Sequence, residues 1–438
     1  MAGNLQGDLF KLPGGPLTVA FGAEYRRDTT DVVHDALSNS FAYFQNFGAD
    51  YDAKQDVVEG YIEADAPLLK DLAFAKAVSL NGAVRQTHYS IKGTGGSNHL
   101  PGSNTIDATS WKMGLVWEAT DWIRLRGTRS RDIRAPSFSE LFQASAGTFT
   151  SLVNRLQPGN PTIFPPQVNG GNPNLKAENA KTTTFGVVIA PQKGFLEGFH
   201  ASVDYYDIKV DGYIASAGGA QPIIDRCAAG NQSNCDLIVR DAANNIQEVR
   251  NTNLNLQWLR TKGVDIELDY RLPLEKVSSG LPGRLNFRTL ITVALKSATN
   301  TYGVIIDRAG ETGAAGMPDY LINSSVTYST DRFSGTLQAR YIPDGLFDAS
   351  RVGPDQPGYS LTNVNAITNN HVDSALYLNL SASFNIINSG ARRLQLFGGV
   401  TNLLNTEPPA APQLGYSTNP IYFDQIGRQF RVGIRFNY

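Results

Sequence analysis

The feature that most constrains the fold of this sequence is an alternation of apolar and polar residues that recurs along the chain. The stretch 264–271 is typical, because Val, Ile, Leu and Tyr alternate there with Asp, Glu, Asp and Arg. Successive side chains of a β-strand point to opposite faces, so each such stretch predicts a strand with one apolar and one polar face. Many stretches have the roughly 9–11 residues that a tilted membrane strand requires, more than the five or six usual in soluble proteins. The sequence therefore predicts an all-β protein.

The C-terminal stretch 428–438, RQFRVGIRFNY, shows the same pattern in its clearest form. Its apolar residues at every second position are Phe430, Val432, Ile434, Phe436 and Tyr438. A terminal edge strand with one wholly apolar face would promote aggregation of a soluble protein. The pattern is expected if the apolar face meets lipid, the other face meets a wet lumen, and the strand closes a barrel.

The order of long and short connections supports a membrane barrel. About fourteen strands are predicted, at 17–26, 57–66, 77–91, 110–117, 122–129, 182–190, 199–210, 258–271, 285–295, 319–328, 333–342, 375–385, 393–401 and 426–438. Long connections at 130–181, 211–257, 296–318, 343–374 and 402–425 alternate with short ones such as 118–121, 329–332 and 386–392. Short periplasmic turns and long extracellular loops are typical of outer-membrane barrels. The fold predicted is a transmembrane antiparallel β-barrel with Tyr438 at its periplasmic rim.

Composition excludes several other classes of protein. The chain has 438 residues and a net charge of −2, so nothing indicates a nucleic-acid partner. No run approaches the roughly 18 apolar residues of a spanning helix. The first sixteen residues do not read as a signal peptide. The turn predicted at 12–16 implies an earlier strand, which we expect to be absent from the chain.

The two cysteines, Cys227 and Cys235, lie eight positions apart in a stretch rich in Gly, Asn and Ala. Two thiols this close could form a small disulfide loop in an oxidising compartment. The alternative is two unpaired thiols. No His or further Cys stands beside them, so a metal site is not expected.

Residues 126–142, RGTRSRDIRAPSFSELF, resemble the barrels of TonB-dependent outer-membrane receptors. The stretches 172–178 (NPNLKAE) and 401–405 (TNLLN) are further matches, in the same order along the chain. In outer-membrane barrels generally, a C-terminal aromatic strand is recognised by the assembly machinery. The residues of this chain that match the family motif are Arg134, Ala135, Pro136, Glu140, Leu141 and Phe142.

The resemblance implies an integral protein of a Gram-negative outer membrane that takes part in energised uptake of a siderophore, cobalamin or oligosaccharide. Family members also have a signal peptide, a TonB-binding box, a plug domain and 22 strands. We therefore expect residues 1–438 to be the C-terminal part of such a barrel, with TonB contacted only through a missing N-terminal part. The alternatives are a complete 14-stranded passive channel or structural barrel and, from another class, a soluble carbohydrate-binding protein. The expected partners are membrane lipid, the assembly machinery and a small-molecule ligand, and no cofactor is expected.

Arginines around the family motif are the first candidates for a functional role. Arg124 and Arg126 alternate with Ile123 and Leu125, so we expect them to point into the lumen. The arginines above them could contact an anionic ligand or the plug. The alternative is that they pair with acids such as Glu59, Glu63, Asp265 and Glu267. These upper arginines are Arg129, Arg131 and Arg134.

Loop aromatics are the second group of candidates. Tyr416 and Tyr422 lie in a long connection rich in aromatic and amide residues, which suits polar ring-bearing ligands but equally suits loops that pack on one another. The sequence contains no HExxH, GxSxG, Walker or GxGxxG motif, and its five histidines are scattered. We therefore predict no catalytic residues and no metal ligands.

Overall fold

The computed structural model of the protein describes residues 1–40, 42, 50–95, 100–313, 316–389, 392–413 and 415–437. A 16-stranded sheet dominates, and all but one of its strands pair antiparallel in chain order. These strands are β1 (Ala2–Leu12), β2 (Gly15–Val32), β3 (Tyr51–Leu72), β4 (Ala75–Gly95), β5 (Leu100–Glu118), β6 (Ile123–Arg134), β7 (Glu178–Ile189), β8 (Phe199–Asp211), β9 (Trp258–Pro273), β10 (Arg284–Thr301), β11 (Tyr320–Ser329), β12 (Phe333–Ile342), β13 (Ala375–Ser389), β14 (Arg392–Thr401) and β15 (Gln429–Asn437). The remaining strand, Val304–Asp307, pairs with β10.

The sheet has one apolar and one polar face because the strand register keeps like residues in line. Ile266 of β9, for example, lies opposite Val203 of β8 and Ile291 of β10. Large apolar side chains on this apolar face are about half exposed, as Phe185 at 51% and Met113 at 53% illustrate. A continuous exposed apolar surface of this kind is typical of a barrel wall that faces lipid.

All fourteen predicted strands are present, and the structure adds two to the sheet, β1 and the short strand Val304–Asp307. The expectation that no strand precedes the turn at 12–16 is wrong, because β1 pairs with β2 along most of its length. The alternation in β1 is weak, since Gly3 and Gly7 share a face with Leu5 and Leu9. Many strands also extend beyond their predicted ends, because backbone hydrogen bonds continue where the apolar alternation stops.

The first and last strands form the two edges of the sheet. Within the described residues β1 pairs only with β2, and β15 pairs only with β14. The apolar positions of β15 are highly exposed, with Phe430 at 75% and Val432 at 81%. Tyr438, predicted as the end of this strand, lies outside the described residues.

Most of the buried apolar residues lie in the long connections rather than in the sheet. The segments after β6 and β8 fold together, because Pro166–Gly170 pairs with both Ala144–Phe149 and Ile246–Asn255. The other short strands are Leu152–Val153, Thr162–Ile163, Ile214–Ser216, Ile238–Arg240, Gly345–Leu346 and His371–Val372. The helices are Ala36–Asn39, Phe138–Phe142, Ala220–Ala228, Gln232–Cys235 and the 3₁₀ turn Leu274–Lys276. Among the described residues, no helix has the length and apolarity needed to cross a bilayer.

Candidate functional site

The family motif folds into a capped helical turn at the loop end of β6. Ser137 begins the helix Phe138–Phe142, and its hydroxyl accepts a hydrogen bond from the Glu140 N–H at 3.3 Å. The Glu140 carboxylate accepts the Ser137 N–H in return at 2.7 Å, which completes a capping box. The same carboxylate accepts two hydrogen bonds from Arg134, at 2.8 and 2.9 Å. The turn is therefore tied to the strand that precedes it.

Arg134 connects this helical turn to the neighbouring strand. Its Nε donates to the Glu178 carboxylate at the start of β7, at 2.7 Å. Glu178 is buried, and its other oxygen accepts the Ile214 N–H at 2.7 Å. Although burial raises the pKa of Glu140, the hydrogen bonds from Arg134 and Ser137 outweigh it and leave the pKa below its ordinary value. We call Arg134, Glu140 and Glu178 the carboxylate brace.

Leu141 and Phe142 anchor the helical turn in a small apolar core. Both are fully buried, in a cluster that includes Ile91 of β4. A Cβ at Gly95 would overlap the carbonyl oxygen of Phe142, and one at Gly171 would overlap the backbone of Leu141. Glycine at these positions lets the strand end and the neighbouring loop approach the turn closely. The motif thus joins β3, β4, β6 and β7 at their loop ends.

The lower arginines of β6 lie on the polar face, as predicted. Arg126 makes two hydrogen bonds to Asp204 of β8, at 2.8 and 2.7 Å. Arg124 bonds Glu118 at 3.0 and 2.6 Å. Neither arginine pairs with one of the acids suggested from the sequence, because ion pairs form between side chains on nearby strands. Two of those acids pair elsewhere, with Arg85 bonded to Glu59 and Arg288 bonded to Glu267, each at 2.9 Å.

Arg129 and Arg131 lie on the apolar face, which corrects the expectation that they project inward as Arg124 and Arg126 do. Arg129 is opposite Met113 of β5, and Arg131 is opposite Trp111. The physical reason is the three-residue step from Arg126 to Arg129, which reverses the side on which the side chain projects. Arg129 donates to the Thr183 hydroxyl and Arg131 to the amide oxygen of Asn179, the latter at 3.2 Å. No ion pair involves either arginine among the described residues.

The two candidate tyrosines differ in how freely they could meet a ligand. Tyr416 is 53% exposed, so its ring is open to solvent. The hydroxyl of Tyr422 donates to the Gly316 carbonyl at 2.8 Å, and its ring packs edge-on against Phe423. Burial raises the pKa of Tyr422 above its ordinary value. Tyr422 therefore helps to pack two loops against each other, whereas the exposed ring of Tyr416 remains available to a ligand.

A cavity on the polar face contains functional candidates that the sequence analysis missed. It has a volume of about 430 Å³ and lies between β12, β13 and the loop that precedes β15. Within the part of the chain that the structure describes, Arg340 donates only a long hydrogen bond, 3.5 Å, to the Ile421 carbonyl. Asp424 accepts from Asn402 at 2.9 Å, and its N–H donates to the Tyr377 hydroxyl at 3.2 Å. We call this space, with its lining of Gln338, Arg340, Tyr377, Asn379, Asn402 and Asp424, the Arg340 cavity.

A signal for the cavity was present in the sequence. Gln338 and Arg340 alternate with the apolar residues of β12, so both were predictable on the polar face at the loop end. Their approach to Asp424 depends on the fold of a long loop, which alternation does not describe. Within the described residues, no three His, Cys, Asp or Glu side chains come close enough to hold a metal ion.

The cysteines lie in the loop between β8 and β9. Cys227 and Cys235 form a disulfide that links the helices Ala220–Ala228 and Gln232–Cys235. Arg240 approaches the sulfur of Cys227 at 3.4 Å. Ile223 and Ile224 of the first helix are fully buried in the loop core. The disulfide therefore constrains a packed loop rather than a strand of the sheet.

A protein-family model matches most of the chain. The family described as "TonB dependent receptor-like, beta-barrel" matches residues 1–403. No curated protein sequence matches the chain.

Solved structures of receptors and transporters share the fold. The hemophore receptor HasR of Serratia marcescens, solved with its hemophore HasA and heme, has a TM-score of 0.58 and 15% identity over 100% of this chain. The FrpB iron transporter of Neisseria meningitidis has a TM-score of 0.56 and 12% identity over 98%. The ferric enterobactin receptor PfeA of Pseudomonas aeruginosa, with enterobactin, has a TM-score of 0.52 and 14% identity over 100%. The chain spans 58%, 53% and 61% of their respective lengths.

Proposed function

The chain belongs to the TonB-dependent receptor family, and from this membership we propose that it supplies barrel strands and extracellular loops for energised nutrient uptake across a Gram-negative outer membrane. The polar face of its sheet would line the lumen, and the apolar face would meet lipid. TonB, acting on a plug domain, is the proposed source of energy. Barrel assembly machinery that recognises β15 is a further proposed partner.

The ligand class that we propose is an iron chelate, either a siderophore or heme. The names of the similar structures support this class, since they include a hemophore receptor, an iron transporter and a ferric enterobactin receptor. Cobalamin and oligosaccharides, which the sequence left open, are the competing ligands. Each of these can be supplied separately in a binding experiment.

The observation that carries the proposal is the Arg340 cavity on the polar face. The guanidinium of Arg340 has spare donors, because its single described hydrogen bond is the long one to Ile421. No described carboxylate lies within ion-pair distance of it, and the amides of Gln338 and Asn379 line the same space. Such an array suits a ligand that presents anionic oxygens, as ferric chelates do. Tyr416, exposed in the loop above β14, is a proposed aromatic contact.

Binding to the purified chain in detergent micelles tests this proposal. Ferric siderophore, heme, cobalamin and an oligosaccharide would be titrated separately, and protein fluorescence would report binding. We expect Arg340→Ala to weaken chelate binding at least tenfold, because a hydrogen bond to a charged group is worth about 1.5–3 kcal/mol. Arg393→Ala is the matched control, since Arg393 is an exposed arginine at the opposite end of the polar face.

Two results would contradict the proposal. One is equal affinity of the Arg340→Ala variant and the wild type for every ligand tested. The other is a steady porin-like conductance in planar bilayers without ligand binding, which would favour a passive channel instead.

A further inference from the structure

Four basic side chains form one row across the apolar face of the sheet. The register places Arg131 of β6 opposite Lys181 of β7, Lys181 opposite Lys209 of β8, and Lys209 opposite Arg260 of β9. Neighbouring strands lie about 4.8 Å apart, so the row is roughly 15 Å long. Like charges that face each other directly across strands destabilise a sheet, so this arrangement requires compensation. We call these four residues the basic row.

The sheet itself compensates only part of this charge. Asp211 pairs with Lys181 and Lys209 at 2.9 and 2.7 Å. Asp207 pairs with Arg260 at 2.7 Å and with Lys262, one position lower on the same face, at 3.3 Å. Two further carboxylates on this face are held by other partners. Asp107 is bonded to His88 of β4 at 2.7 Å, and Asp307 pairs with Lys296 of β10 at 3.8 Å.

Arg129 and Arg131 have only neutral acceptors within the described residues, as noted above. Together with Lys262 and the rest of the basic row, they make six cations beside two carboxylates, Asp207 and Asp211, which among these residues pair only with Arg260, Lys262 and the two lysines of the row. Four positive charges therefore remain for an external anion. The row is too long for one phosphate group and leaves room for two.

The height of the basic row on the wall indicates what this anion is. Phe185, Val187 and Ile189 occupy the lower part of the same face of β7. Lys181 lies four residues above Phe185, which is about 13 Å along the strand, or roughly 10 Å of height for a strand tilted by about 40°. Because the head groups lie outside a hydrocarbon core about 30 Å thick, this rise brings the basic row toward the polar head groups of a bilayer.

Two tryptophans mark the same depth. Trp111 lies opposite Arg131, and Trp258 lies opposite Asp211 with its ring 5.9 Å from the Lys209 ammonium. Tryptophan is enriched where a protein crosses the membrane–water interface. The corresponding face of β11 to β13 carries Tyr320, Tyr341 and Leu376 near its loop end and has no charged residue. The wall formed by β11 to β13 thus carries no positive charge at this depth.

We propose that the basic row, with Arg129 and Lys262, binds the phosphate groups of a bisphosphorylated glycolipid in the outer leaflet of the membrane. The carboxylates of Asp207 and Asp211 hold the lysines and Arg260 in line, while Arg129 and Arg131 face the lipid with unpaired charge. The inference rests on the outer-membrane location of the family and not on the Arg340 cavity. A failure of chelate binding would therefore leave it intact.

The test measures lipid retained by the full chain in detergent micelles. Bisphosphorylated lipid A, phosphatidylglycerol and phosphatidylcholine would each be titrated, and the bound lipid would be counted by native mass spectrometry. We expect lipid A to bind best, with an affinity that falls as salt rises. In the double variant Arg129→Gln/Arg131→Gln, we expect about a 30-fold loss, a change of about 2 kcal/mol, because each cation near an anionic surface is worth about 1 kcal/mol.

The matched control is Arg332→Gln/Arg393→Gln, which removes two exposed arginines at the opposite end of the sheet. This control is expected to bind lipid A as the wild type does, and the electrophoretic mobility of unheated samples checks that both variants are folded. Equal loss in both variants would overturn the proposal. So would equal affinity for phosphatidylglycerol, or displacement of lipid A by inorganic phosphate at an equal concentration.

Discussion

Two pairs of arginines on the single strand β6 have opposite surroundings. Arg126 and Arg134, on the polar face, each hold carboxylates through at least two charge-assisted hydrogen bonds. Arg129 and Arg131, on the apolar face, meet only a hydroxyl and an amide oxygen. A charge that is satisfied within the chain contributes to its architecture, whereas one left with neutral acceptors is available to a partner. The same residue type therefore has a structural role on one face and a proposed binding role on the other.

The largest effect expected from this difference is on stability. Arg134→Ala should lower the free energy of unfolding by about 2–3 kcal/mol, because it leaves the buried Glu178 carboxylate without its cation. Arg131→Ala should change it by less than about 0.5 kcal/mol. Urea-induced unfolding of the chain in lipid vesicles measures both. Equal destabilisation by the two variants would remove the distinction between the faces.

A double-mutant cycle on Arg126 and Asp204 sharpens the comparison. The pair makes two parallel hydrogen bonds but is partly exposed, with 51% of the Arg126 and 28% of the Asp204 side chain accessible. We expect a coupling energy of about 1 kcal/mol from Arg126→Ala, Asp204→Ala and the double variant. The corresponding cycle on Arg129 and Thr183 should give a smaller value. A coupling energy near zero for Arg126 and Asp204 would show that the ion pair does not stabilise the folded chain.

The smallest expected effect is the response of the carboxylate brace to pH. The pKa of Glu140 is lower in the folded chain than its ordinary value of 4.5, so its contribution is present above that pH and is lost as the pH falls through the lower, folded value. Between pH 5 and pH 3, Glu140→Gln should therefore lose less stability than the wild type does. Unfolding measured at several pH values tests this difference. A steeper loss in the variant would contradict the assigned direction.

Much of the fold could be predicted from alternation, because the property involved is local. The predicted strand 258–271 became β9 with nearly the same limits, and the faces of Arg124 and Arg126 were assigned correctly. β1 was missed because glycines occupy two of its apolar-face positions, so the pattern carried little signal. The loop end of β5 was not predicted as strand. The strand continues there beyond the apolar part of the wall, where apolar and polar residues no longer alternate.

The candidate site could be predicted only in part. The family motif was recognised from its residues, but the ring of contacts formed by Arg134, Glu140 and Glu178 joins positions up to 44 residues apart. Arg129 and Arg131 were identified as candidates but were assigned to the inward face, because the reversal of face after Arg126 was overlooked. Arg340 was not identified at all, since its neighbours come from a long loop.

The sequence by itself determined that the chain forms long antiparallel strands with one apolar and one polar face, because a two-residue period acts within each strand. Only the tertiary structure decided which charges meet, because cross-strand partners depend on the register of whole strands and on how the loops fold. Asp204 lies 78 residues beyond Arg126, and no local pattern connects the two. The basic row has the same origin, since its four cations come from four strands and become neighbours only when those strands are paired.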